Sequence, residues 1–254
     1  MAARALAVLE ADLRSYRRTW RGSAISSFLT PLLFAVGFGV GVGSFVDGSG
    51  RLGSPYLTFI APGLVVSTAL QVAFFEASWP AFSKFVWIRT YSGMAATPLR
   101  PGDIVGGEVL FIAFRVLLTG IVFSAVLACF GALPSLWSPL VPLVAVLLAV
   151  AVAAPVLALA ASVGTDASFM FLQRLLVLPM TLFAGVFFPL HVLPAVLRWL
   201  AYLTPLWHAV ELSRAAASGG APPWPAAGHL AYLAAWAAVG WWLAVRAFGR
   251  RLYR

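Results

Sequence analysis

The sequence has little of what a soluble enzyme uses. Charged residues make up only 10% of its 254 residues, while 62% are hydrophobic; soluble domains carry roughly 25% charged residues and about half apolar ones. Mean hydropathy is +0.95. A soluble core cannot absorb that much apolar side chain, so lipid is the solvent for most of the chain. Cysteine occurs once, as Cys129 in VLACFG. That excludes an intramolecular disulfide and a cysteine metal cluster, and a small packed residue is the expected role. Lysine also occurs once, as Lys84 in FSKF. A Walker phosphate loop needs Gly-Lys-Ser/Thr, so the chain does not hydrolyse ATP by that route. No internal repeat aligns, which argues against secondary-transporter folds built on duplicated halves. No short basic start leads into a signal-peptide core.

What is present is a series of long apolar runs. A hydrocarbon core of roughly 30 Å demands about 20 apolar residues per crossing. Runs of that kind fall near 24–46, 58–80, 107–131, 138–163, 172–190 and 227–247, the fifth being the least tidy. Ahead of them, Leu6, Leu9, Leu13, Tyr16 and Trp20 recur at steps of three and four, with Arg4, Glu10, Arg14, Arg17 and Arg18 between them. This pattern predicts an amphipathic helix over 1–22 lying in the membrane interface.

The net charge of +9 comes from basic residues beside apolar runs, not from a groove with stacking aromatics, so nucleic-acid binding is excluded on footprint. The charge is read instead as an orientation signal and as contact with lipid headgroups. The N-terminal arginines, Lys84, Arg89, Arg100, Arg174 and the C-terminal arginines fall on one side of a six-span path; Arg51, Arg198 and Arg214 fall on the other. The predicted topology has both termini inside. The expected fold is an all-α integral membrane protein.

Several motifs sit within this frame. GFGVGVG at 37–43 lacks nucleotide-loop spacing, and its overlapping Gly-x-x-x-Gly pairs predict close helix packing or a flexible outer end. Glu76 in FFEASW is an intramembrane acid, a functional candidate by default, with a partner in Lys84 or Arg115 as the plainer reading. Arg115 in FIAFRVLL either pairs with Glu108 or Glu76, reaches the inner interface, or lines a path for an anionic substrate. Glu108 is expected to turn toward Arg115. His208, Glu211 and Arg214 share a helical face in TPLWHAVELSR, which reads as a structural charge cluster ahead of a proton relay or zinc half-site. Prolines at 189 and 194 break an apolar segment there, which predicts short helices dipping back from outside. An intramembrane serine protease is disfavoured because Ser162 and Ser168 fall inside while every histidine falls outside.

Three stretches, YLTFIAPGLVVSTALQVAFFEASW, FSKFVWIRTYSGMAATPLRPGDIVGGEVLF and LPMTLFAGVFFPLHVLPAVLRWLAYLTPLWHAVELSR, resemble the permease subunits of ABC-2 type exporters. Within that family they resemble the nodulation-factor, or lipooligosaccharide, exporter permeases (NodJ-type) and related bacterial drug-exporter permeases. The resemblance covers nearly the whole chain, read as a single ABC-2 type transmembrane domain over 1–254. It implies a dimer of permeases with two separate ATP-binding subunits, with ATP and Mg on those partners and no cofactor or catalytic residue in this chain. It implies a coupling helix at 89–103, with Arg89, Tyr91, Pro98, Arg100 and Asp103 meeting the ATPase, and an N-terminal connecting helix beside it. It also implies an outer re-entrant gate carrying Phe188, Pro189, Pro194, Pro205, His208 and Glu211. The expected setting is a bacterial plasma membrane, and the expected cargo an amphiphile, either a lipid-linked saccharide or a lipophilic drug. A different class, a proton-coupled carrier using Glu76, Arg115 and His208, is the alternative; a purely structural membrane-complex subunit is a third.

Overall fold

A computed structural model describes residues 2–47 and 55–253, all in helices, turns and loops, with no strand among the described residues. The helices are α1 (Ala2–Phe34), continued by a π-helical segment Ala35–Val42 and α2 (Gly43–Asp47), then α3 (Tyr56–Val86), α4 (Thr90–Ala95), α5 (Pro101–Cys129) and α6 (Val141–Ala160). They are followed by α7 (Ala167–Leu172), a π segment Gln173–Val177, α8 (Leu178–Phe183), α9 (Ala195–Tyr202), α10 (Pro205–Ser218) and α11 (Ala226–Leu252).

The centre is formed by α3 and α6, which pack on each other and on α5; α11 lies on α6, and α1 leans along α5. In lipid, apolar burial gives helices no drive to associate, so small residues that admit close backbone approach carry the packing. Two glycines show this directly. A Cβ at Gly107 would lie 2.4 Å from the Val8 side chain, and one at Gly240 would lie 2.4 Å from the Pro155 ring. The first glycine sets the α1–α5 crossing and the second sets the α6–α11 crossing. Pro62, Pro80 and Pro155 stand inside helices, which neighbouring helices make tolerable.

The bundle has two distinct ends. At one, Arg4 Nη1 donates to the Pro98 carbonyl at 3.0 Å and the Tyr253 hydroxyl to the Leu99 carbonyl at 2.6 Å. Arg251 donates to the Ala160 and Val163 carbonyls there. At the other, the Tyr56 hydroxyl donates to the Phe187 carbonyl at 3.2 Å and the Ser135 amide to the Ala217 carbonyl at 3.2 Å. Both termini and the 87–100 segment therefore share one end, and the 185–218 segment lies toward the other. Among the described residues four helices, Tyr56–Val86, Pro101–Cys129, Ser138–Ala160 and Ala226–Leu252, are long and apolar enough to cross a membrane, and Ala167–Phe183 is a shorter apolar helix.

Four expectations change. The helix expected over 1–22 does not end before the run at 24–46: α1 is continuous from Ala2 to Phe34, because Gly22 alone costs only about 1 kcal/mol in a helix and does not break it. Val8 and Asp12 of α1 are buried against the bundle, while Leu6 and Trp20 of the apolar face are exposed. The fifth run, expected at 172–190, is helical instead from Ala167 to Phe183 and ends where Gly185 adopts φ +82°, a backbone glycine tolerates without steric cost. The glycines of 37–43 pack unevenly: Gly39 meets Leu57, whereas Gly37 and Gly41 face open space. Cys129 is exposed at the end of α5, not packed.

Candidate functional site

The polar interruption between α3 and α5 forms a small protruding element. Backbone amides of Trp87 and Ile88 both donate to the Ser83 carbonyl, at 3.0 and 2.8 Å, closing the end of α3. Arg89 then takes a left-handed conformation, φ 58° and ψ 25°, which costs an L-residue with a β-carbon on the order of 1–2 kcal/mol. The turn aims an apolar and basic tip outward. Trp87 is 62% exposed and Ile88 68%, with Arg89 exposed beside them. Neither apolar residue stood out in the sequence, because both look like the tail of a span.

Of the residues expected to meet a partner, Arg89, Pro98 and Arg100 are exposed, whereas Tyr91 and Asp103 are buried. Asp103 is occupied as a helix cap: its Oδ2 accepts from the Arg100 amide at 3.0 Å, satisfying one of the donors left open at the start of α5. Tyr91 packs edge-on against Phe85 and Phe248. Burial, and next the negative charge of Glu108, push its hydroxyl well above the ordinary tyrosine range. These two side chains support the element from beneath and leave its surface to Trp87, Ile88, Arg89, Pro98 and Arg100.

Under the element lies a buried charge network. Lys84 Nζ donates to Asp12 Oδ1 and to Glu108 Oε1, each at 2.6 Å, and sits 5.7 Å from the Tyr91 ring centre. One ammonium thus ties α1, α3 and α5 together directly beneath α4. Glu108 does not turn toward Arg115. Lys84 claims it, and Arg115 instead pairs with Glu76 at 3.1 Å, roofed by the Tyr16 ring at 4.4 Å. The two pairs stack along α3 and α5, because 76 and 84 are two turns apart on one helix face and 108 and 115 two turns apart on the other.

The opposite end carries the second polar cluster. Pro189 precedes a short 3₁₀ turn Leu190–Val192, and Pro194 stands immediately before α9. Pro205 occupies the first turn of α10 behind the Thr204 cap, where its missing N–H costs nothing. Phe188 and Pro189 are half-buried, Pro194 is exposed and Pro205 is buried. The turn at Leu203–Pro205 lines an apolar cavity of about 250 Å³ together with Leu70, Phe74, Val152 and Pro155, residues near mid-length of α3 and α6. So α9 and α10 form a hairpin whose vertex reaches the middle of the bundle.

Within it, Arg214 donates to Glu211 Oε1 and to the Gly185 carbonyl, both at 2.8 Å, and covers the Phe59 ring at 4.2 Å. His208 Nδ1 lies 2.9 Å from His229 Nδ1, and its Nε2 lies 3.1 Å from the Tyr202 carbonyl. A carbonyl only accepts, so His208 Nε2 carries the proton and its Nδ1 accepts from His229. This bond joins α10 to α11.

The comparisons with known proteins decide the family. The ABC-2 type transporter family matches residues 4–217. The chain belongs to the ABC-2 type transporter family. It is also 33% identical over 240 residues to Nodulation protein J of Sinorhizobium fredii (strain NBRC 101917 / NGR234), covering 92% of this chain and 89% of that protein. Against Nodulation protein J of Rhizobium leguminosarum bv. trifolii the identity is 32% over 243 residues, with 92% and 90% covered. Against that of Bradyrhizobium diazoefficiens it is 33% over 246 residues, with the same coverage. An ABC-2 type permease is a multi-pass membrane transport subunit, not an enzyme, and its family implies an ABC ATP-binding subunit as partner. Asp12 and Lys84 escaped the sequence reading as site residues; one clue was a lone lysine beside an apolar run, with an acid needed to bury it.

Proposed function

We propose that this chain is the membrane-spanning half of an ATP-driven exporter that moves an amphiphile out of the cytoplasm or inner leaflet. Two copies form the path, and two ATP-binding subunits, holding ATP and Mg, drive it. Both termini and the 87–100 element face the cytoplasm, six helical passes cross the plasma membrane, and the α9–α10 hairpin enters from outside to close the exit. The observation that carries this reading is the exposed Trp87–Ile88–Arg89 tip, held in a left-handed turn, in an element whose far end is tied to Arg4 and Tyr253 through the Pro98 and Leu99 carbonyls. An aromatic, an aliphatic and an arginine presented together are the composition of an interface anchor. Force applied there reaches α1, α3 and α5 through Lys84. Resemblance to nodulation-factor exporter permeases supports a glycolipid as cargo; lipophilic drugs belong to the same amphiphile class.

Reconstitution with the ATP-binding subunit tests this. Substrate-stimulated ATP turnover should fall at least tenfold in Arg89→Glu and Arg100→Glu, with the permease still folded. Unchanged assembly and turnover in both variants would overturn the docking assignment. Transport that persists without the ATPase and collapses with the proton gradient would support instead a carrier using Glu76, Arg115 and His208.

A further inference from the structure

We propose that the seam between α6 and α11 holds a resident anionic phospholipid, its phosphate on Arg246 and Arg250 and an acyl chain running inward along the seam. At the end of the bundle that carries the termini, a cleft of about 690 Å³ opens between the C-terminal halves of these helices. Pro155, Leu159 and Leu243 form its apolar wall, and Arg246, Arg250 and Arg251 stand around its mouth. No acidic residue lines it among the described residues.

Guanidiniums four residues apart on one helix repel each other, so this cluster calls for a counter-charge. Arg251 is already used: it donates to the Ala160 and Val163 carbonyls at 2.9 and 3.1 Å, at the end of α6. Arg246 lies 5.4 Å from the Trp242 ring centre. Arg246 and Arg250 are exposed and make no ion pair among the described residues. A guanidinium fork matches a phosphate, and basic pockets between membrane helices on the cytoplasmic side suit anionic headgroups.

The wall explains why the ligand is an amphiphile and not a free ion or an acidic protein surface. Pro155 and Leu159 line this cleft and also the apolar cavity of about 250 Å³ deeper in the bundle. Along α11 the two lining sets run from Trp236 to Arg251, a rise of about 22 Å at 1.5 Å per residue. A basic mouth leading into an apolar seam of that length fits one headgroup and one tail.

The test is native mass spectrometry of the full purified chain titrated with dioleoylphosphatidylglycerol or dioleoylphosphatidylcholine. Wild type should retain the anionic lipid at least tenfold more strongly. Arg246→Gln with Arg250→Gln should abolish that preference, while Arg17→Gln with Arg18→Gln, exposed on α1, should leave it. Both replaced pairs are exposed, so the fold should survive, which gel filtration checks. A preference that survives the first pair, or falls equally with the second, overturns the site. Glycerol 1-phosphate competing as well as the intact lipid removes the acyl component and overturns it too. Release of the lipid during ATP turnover with the partner subunit overturns a resident role in favour of cargo.

Discussion

The two ends of the bundle solve the problem of buried charge differently. At the end bearing the tip, Lys84 reaches acids 72 and 24 residues away in sequence, on two other helices. At the hairpin end, Arg214 takes its acid from three residues earlier on its own helix and completes its bonding with the Gly185 carbonyl and the Phe59 ring. The first joins three helices through one ammonium. The second keeps its ion pair within one helix and reaches its neighbours only through a carbonyl and a ring face. On the proposed function, the first suits a lever and the second a latch.

The sharpest way to break this comparison is to remove the ammonium. Lys84→Met leaves Asp12 and Glu108 facing each other in a buried site, and stranding one side of such a pair costs about 3–5 kcal/mol. Thermal unfolding in detergent should show a large loss, and ATP turnover in the complex should uncouple from substrate. Arg214→Gln strands one acid, Glu211, instead of two and keeps a donor toward Gly185, so it should cost less than Lys84→Met, with turnover intact but exit gating altered. Equal losses in the two variants would erase the distinction between the ends.

A smaller effect should separate packing from charge at the inner end. Gly107→Ala forces Val8 away and should cost about 1–3 kcal/mol by overpacking, while the Lys84 bonds persist. The smallest effect concerns the histidine pair at the hairpin. His208→Leu removes the bond to His229 and should cost about 1 kcal/mol in a detergent melt; an unchanged melt would show that the pair does not hold α10 on α11.

The long passes α3, α5, α6 and α11 were legible because their apolar runs exceed anything a soluble core tolerates, and the tip because arginines and a Thr-Pro-Leu-Arg-Pro turn interrupt those runs. Asp12 with Lys84 and Glu108 was not legible, since separations of 72 and 24 residues leave no periodic trace. The same bond turns the Asp12 side of α1 toward the bundle, with Val8 beside it, a face that the apolar spacing did not mark. The end of the fifth pass was misplaced because Gly185 looks like any glycine in an apolar run, and only its φ of +82° marks the break. His208 and His229 stand 21 residues apart on two different helices, and no periodic spacing marks them as a pair.

The most direct measurement is site-specific cross-linking between this chain and its ATP-binding subunit. Cys129 is exposed, so Cys129→Ser supplies a clean background for Ile88→Cys at the tip and Val196→Cys on the hairpin, positions that are 68% and 71% exposed. With a bifunctional thiol reagent in inverted membrane vesicles, the tip position should cross-link to the ATPase and the hairpin position should not. Cross-linking from position 196, or none from position 88 in a complex that still turns over ATP, would contradict the coupling role of the tip.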